Sequence, residues 1–191
     1  MDRINNLESI LEFNKKFVEN KEYVKYNTTK QPDRKMVIVS CMDTRLTELL
    51  PQAMSIKNGD AKIIKNAGGV VVHPFGSAMR SILVSIYEFD VKEVYIVAHD
   101  ECGMCKLNTK NTVEKMLERG ISEETINTLY NSGINVQEWL HGFSSIEDSL
   151  RKSASIVRNH PLLPKGIHVH SLIINPVTGE LRILENGNEI E

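Results

Sequence analysis

Three short apolar runs constrain this chain most: Met36-Val37-Ile38-Val39, Ala61-Lys62-Ile63-Ile64-Lys65 and Val94-Tyr95-Ile96-Val97-Ala98. The first and third are apolar at nearly every position rather than at alternate ones. That pattern belongs to strands covered on both faces, as in a parallel sheet. Stretches long enough to hold helices separate the runs, so the chain reads as alternating strand and helix.

The helical stretches follow the same logic. Arg3 to Asn20 places Ile4, Leu7, Ile10, Leu11, Phe13, Phe17 and Val18 near helical spacing, which predicts an amphipathic helix. Gly76 to Phe89 carries Met79, Ile82, Leu83, Ile86 and Phe89 on one face, and 109–160 is helical with breaks near Gly120 and Gly133. Val169 to Ile174 reads as a further strand. Asn175-Pro176-Val177-Thr178-Gly179 is a turn, after which Leu181 to Leu184 can return antiparallel. The expected architecture is α/β: a mostly parallel central sheet with an antiparallel edge strand, helices on both faces and an N-terminal amphipathic helix. Residues 1–191 are expected to form one domain, with 1–30 as a helical arm.

Charge and cysteine usage narrow the function. A net charge of −2 over 191 residues gives no basic surface for nucleic acid or an anionic membrane. No apolar run approaches the roughly 18 residues of a spanning helix, and the charged first twenty residues lack the pattern of an export signal; a cytoplasmic protein is expected. The three cysteines, at 41, 102 and 105, are too few for a disulfide framework. Thiols of this kind serve metal binding, redox work or packing.

Position favours metal. Cys41 follows the first strand in Ser40-Cys41-Met42-Asp43-Thr44-Arg45; His99 and Cys102 follow the third in His99-Asp100-Glu101-Cys102-Gly103. Ligands in open parallel sheets gather at the carboxyl ends of strands. Thiolate and imidazole suit zinc, and three protein ligands with one open place make a catalytic site. A lone cysteine after a strand is as often a small core residue; three ligand types at two strand ends are harder to explain by packing.

Those segments resemble a known family. Cys41-Met42-Asp43-Thr44-Arg45 is similar to the C-x-D-x-R motif of β-class carbonic anhydrases, and His99 to Gly103 to their H-x-x-C-G motif. Lys65-Asn66-Ala67-Gly68-Gly69 resembles the segment between them, and the match is collinear from about 34 to 106, closest to short prokaryotic members. The resemblance implies reversible hydration of carbon dioxide to bicarbonate at one zinc per chain. Cys41, His99 and Cys102 would be the metal ligands, Asp43 and Arg45 the dyad beside the metal, and the Gly103 amide a donor near substrate. Zinc lowers the pKa of bound water to about 7; Asp43 would accept a hydrogen bond from the nucleophile, and Arg45 would keep Asp43 ionised and fixed. Glu101 departs from the family's usual Asp, and Asp100 adds a charge; both bear on the support around the ligands.

Other readings are weighed against this one. Relatives with the same motifs act on carbon disulfide or carbonyl sulfide. Cys102-Gly103-Met104-Cys105 is a C-x-x-C pair of the thiol–disulfide oxidoreductase kind, although redox chemistry has no use for Cys41, Asp43, Arg45 or His99; Cys105 otherwise has no task. A structural zinc in a binding module would need a fourth ligand, for which Asp43 is the candidate. His73 is the preferred proton shuttle, His168 and His170 share one side of a strand, and Trp139 is expected in the core. Gln31 receives no role. The family's closed form, with Asp43 on the metal, is associated with a bicarbonate pocket that includes a tryptophan near the dyad. Trp139 lies far along the chain, so the open arrangement with Asp43 held by Arg45 is expected. Relatives embrace a neighbouring subunit with such N-terminal helices, so a homodimer or a multiple of it is expected.

Overall fold

The computed structural model describes residues 5–190. Five strands form one sheet in the order β2-β1-β3-β4-β5: β1 Met36–Cys41, β2 Ala61–Asn66, β3 Glu93–His99, β4 His168–Ile174 and β5 Leu181–Glu185. The first four are parallel, and β5 returns antiparallel beside β4. The expected sheet is present, with its antiparallel edge.

Among the described residues seven α-helices accompany it: α1 Asn6–Glu19, α2 Leu46–Ala53, α3 Ser77–Phe89, α4 Thr109–Glu118, α5 Glu123–Asn131, α6 Val136–Trp139 and α7 Ile146–Arg158. The breaks read at Gly120 and Gly133 separate α4, α5 and α6, and both glycines have positive φ, at 94° and 85°. Helix α2 was not anticipated; it is eight residues long with Pro51 inside it, and Leu46 and Leu50 bury its inner face. Ile4 lies outside the described residues, whereas the rest of the first helix forms as expected.

Two cores flank the sheet. The larger lies under α3 and α7 and includes Val39, Met79, Ile82, Ile96, Leu150 and Val157. The smaller lies under α2 and includes Ile38, Leu46, Leu50 and Val97, together with Cys41 and Cys102. Adjacent residues of β1 and β3 thus point into different cores, which explains why both strands read as unbroken apolar runs.

After β1 the chain moves outward to β2, then crosses back to build β3 on the other side of β1. The carboxyl ends of β1 and β3 therefore adjoin where strand order reverses, the usual crevice of such sheets. Among the described residues, no helix is long and apolar enough to cross a membrane.

Candidate metal centre

Cys41 and His99 are the last residues of β1 and β3 rather than the first residues of the loops, one position further into the sheet than the sequence suggested. Pairing extends to both: Cys41 lies opposite Asn66, and His99 opposite Ile174. Polar residues ending an apolar run look like loop in a sequence; here the ladder carries them.

The turn after β2 closes over Cys41. Gly69 has φ 64°, and a Cβ there would stand 2.6 Å from the Cys41 amide nitrogen, so only glycine permits this approach. The Asn66 side chain clips the turn by donating to the Val70 carbonyl at 2.8 Å and accepting from the Val70 amide at 3.0 Å. Lys65 reaches the carbonyls of Cys41 and Leu46 at 3.4 Å each; its role had no signal in the sequence beyond its place in the motif.

Cys41, His99 and Cys102 converge, all buried, with candidate ligand atoms within 4.8 Å of one another. The two sulfurs are 4.0 Å apart. Thiolates bound to one tetrahedral zinc at 2.3 Å would stand about 3.8 Å apart. His99 Nδ1 lies 2.8 Å from the Asp100 carbonyl oxygen, which places the ring proton on Nδ1. Nε2 is buried with no hydrogen-bond partner among the described residues. A buried lone pair facing two sulfurs is costly without a partner, and a metal ion supplies one. The donor set fits zinc.

Asp43 sits beside the three. Its Oδ2 is 3.8 Å from His99 Nε2, and its carboxylate is gripped at two points by Arg45, Nε to Oδ1 at 3.0 Å and a terminal nitrogen to Oδ2 at 2.9 Å. The Arg45 amide also donates to Oδ1, at 2.9 Å. Hydrogen bonds from Arg45 hold the Asp43 carboxyl down at about 2, against its partial burial. Glu101 approaches the same guanidinium at 3.7 Å. Gly103 opens a 3-10 turn and is exposed, with open space where a Cβ would be.

The thiols differ in acidity. Burial pushes Cys41 up, but the His99 ring beside it and the Asp43 and Gly68 amides outweigh this and bring it down to about 7. Burial also raises Cys102, and the negative Cys41 beside it adds to this, leaving it at about 11. A zinc site needs both as thiolates, so metal uptake must displace the Cys102 proton. Between pH 7 and 10 the apparent zinc affinity is expected to rise about tenfold per pH unit, one proton's worth. Toward and below pH 7 the Cys41 proton joins, together with that of His99, which burial pushes down but the neighbouring Cys41 and the Asp100 carbonyl raise overall, and the slope steepens. Competition with a chelating dye across this range measures it; a flat affinity would contradict the two-thiolate centre. The same acidities disfavour redox chemistry at the C-x-x-C pair. Burial raises Cys105 as well, whereas reactive pairs need a lowered thiol.

One expectation meets a different structure. Trp139 is not in the core: it is 75% exposed at the end of the one-turn α6 and lines a cavity of about 690 Å3 with Met104 and Phe143. His73 Nδ1 accepts from the Phe75 amide at 3.0 Å, and no contact joins it to the centre among the described residues. His168 and His170 do share a side, their rings 6.5 Å apart.

The carbonic anhydrase family model matches residues 36–181, which takes in β1, β3 and all three candidate ligands. The protein YvdA of Bacillus subtilis strain 168 is 56% identical over 191 residues, covering 100% of this chain and 97% of that one. A carbon disulfide hydrolase of Saccharolobus solfataricus is 30% identical, covering 78% of this chain and 77% of its own. The crystal structure of β-carbonic anhydrase isoform I from Trichomonas vaginalis superposes with a TM-score of 0.85 at 34% identity, over 98% of this chain and 100% of that one. Matched from the first strand of the sheet to the last, and across the crevice where the cysteines and histidine meet, this chain belongs to the β-carbonic anhydrase family and is, with it, a lyase.

Proposed function

We propose that the chain reversibly hydrates carbon dioxide to bicarbonate, using one zinc ion held by Cys41, His99 and Cys102. The observation that carries this reading is the convergence of two thiols and an otherwise unpartnered imidazole nitrogen within 4.8 Å, all buried. When bound, zinc supplies a Lewis acid that brings the pKa of a coordinated water down to about 7.

The residues beside it divide the remaining work. An Asp43 carboxyl held at about 2 is too weak a base to take a proton at neutral pH. Its part is to accept a hydrogen bond from the nucleophile and aim a lone pair at the substrate carbon. Both of its oxygens are already engaged by Arg45, which would keep the carboxylate from binding the metal held by Cys41, His99 and Cys102. The Gly103 amide donates to a substrate oxygen, in space that no side chain fills.

Stopped-flow hydration of carbon dioxide with a pH indicator tests the reading. Activity is expected to disappear with a zinc chelator and return with zinc. Zinc-loaded protein inert toward carbon dioxide but active on carbon disulfide, the substrate named for the Saccharolobus relative, would assign the centre to that reaction instead.

The active unit is a homodimer or a multiple of it. Helix α1 has no buried residue, and Leu7 and Ile10 are 64% and 63% exposed. Phe17 stacks on Tyr26 at 6.3 Å, and the arm is tied to the rest of the chain near its end, where the Tyr26 and Lys30 carbonyls accept from Asn58 and Lys62. An apolar stripe of that length left to water is costly, and an isologous contact with a second copy covers it. Light scattering at micromolar concentration is expected to give at least twice the 21.6 kDa chain mass; a fully active monomer would reject this.

A further inference from the structure

Asp100 and Glu101 are the whole connection between His99 and Cys102, so their conformation sets how the two side chains meet. Glu101 has φ 56°, in the left-handed region that side-chain-bearing residues seldom occupy. A bridge of this kind needs holding from outside.

Asp100 is held at three points, each by a different part of the molecule. Its amide donates to the Ile174 carbonyl at 3.1 Å, one step beyond the β3–β4 register. Its carbonyl accepts the His99 Nδ1 proton at 2.8 Å. Its carboxylate receives Arg182 of edge strand β5 at 2.6 Å, from 82 residues away. Arg182 lies opposite Ile173 in the β4–β5 ladder, so the sheet itself fixes where the guanidinium starts. Among the described residues Glu101 has only Arg45, at 3.7 Å, and that guanidinium is already committed to Asp43. Among the described residues, the Arg182 contact is thus the one strong side-chain anchor on the bridge.

We infer that Arg182 is a positioning residue for the metal centre. Holding the Asp100 side chain keeps the Asp100 carbonyl on His99 Nδ1, fixes the proton there and leaves the Nε2 lone pair directed at the two sulfurs. The inference rests on the zinc reading above. The pair itself adds little to folding, because the side chains of Arg182 and Asp100 are 49% and 33% exposed and ion pairs so placed are weak. Positioning and stability can therefore be told apart.

The test uses the full-length zinc-loaded chain and follows zinc release to excess chelator. Arg182→Met and Asp100→Asn are each expected to release zinc about tenfold faster, at the lower end of what loss of a ligand's outer support costs. The double variant is expected to be no worse than either single one, and Arg182→Lys to fall between wild type and Arg182→Met. Urea midpoints of the metal-free proteins should stay together. Nitrogen-15 spectra of the metal-free chain should show the Nδ1-protonated His99 tautomer in wild type and a mixture in Arg182→Met. Wild-type release rates in both single variants, or effects that add in the double variant, would overturn the inference while leaving zinc in place. A wild-type chain that takes up no zinc would instead remove the zinc reading, and this inference with it.

Discussion

Cys41→Ser is expected to keep the fold and empty the centre: zinc per chain falls from about one to near zero after dialysis, and carbon dioxide hydration falls with it. A serine hydroxyl stays protonated at neutral pH and offers zinc no thiolate. The loss should exceed the roughly 10–100-fold in affinity that removing a mere outer partner costs, because one of three protein ligands is gone. Cys102→Ser should do the same. Both sulfurs belong to the smaller core under α2, so thermal melting of the metal-free proteins must accompany the assay; similar melting with zinc absent locates the defect in the centre. Cys105→Ser should retain both metal and turnover, since that sulfur is outside the converging group. Normal zinc content and activity in Cys41→Ser would remove the ligand assignment. Loss of activity in Cys105→Ser with zinc retained would revive the thiol–disulfide reading.

The parts of this arrangement differed in how legible they were. Buried parallel strands announce themselves because both faces are covered, so Val37, Val39, Val94 and Ile96 stood out, and the strand–helix alternation led to the sheet. The strand ends did not. Ser40, Cys41 and His99 are polar or small, and only the pairing of Cys41 with Asn66 and His99 with Ile174 shows that the ladder reaches them. The two motifs located the centre because each lies within a few residues of sequence. Arg182 had no such signal: its partner Asp100 is 82 residues away, and only the antiparallel return of β5 brings them together. Helix α2 was missed because eight residues with a proline give a weak periodic pattern. Trp139 was misplaced for a related reason, since a one-turn helix such as α6 need not bury any particular face, and this one turns its indole outward.

Arg45→Ala is expected to lower turnover by about a hundredfold, the scale on which misplacing a catalytic group is felt, while zinc stays bound. Cys41, His99 and Cys102 lose nothing directly by the change. Asp43 loses both side-chain hydrogen bonds that hold it, and its carboxyl should rise from about 2 toward the ordinary aspartate value of about 3.9. The sign of that shift separates two explanations. At pH 7 the carboxylate is ionised in both proteins, so protonation cannot be what slows the variant. The loss must come from position: a freed carboxylate only 3.8 Å from His99 Nε2 can move onto the metal and occupy the place meant for water. The pH profile above pH 5 should therefore keep its shape and drop in height. The stability that Asp43 draws from Arg45 is present above about pH 4 and is lost as pH falls through about 2; the variant should be less stable than wild type by a constant amount above that window, and the difference should vanish as pH falls through it. Arg45→Lys should recover little, because an ammonium restores charge without the planar fork that engages both oxygens. A zinc-loaded wild-type crystal at neutral pH with an Asp43 oxygen about 2.0–2.2 Å from the metal would show the closed arrangement as the resting one. Arg45 would then be a latch that must engage before turnover, and its removal should still leave zinc bound.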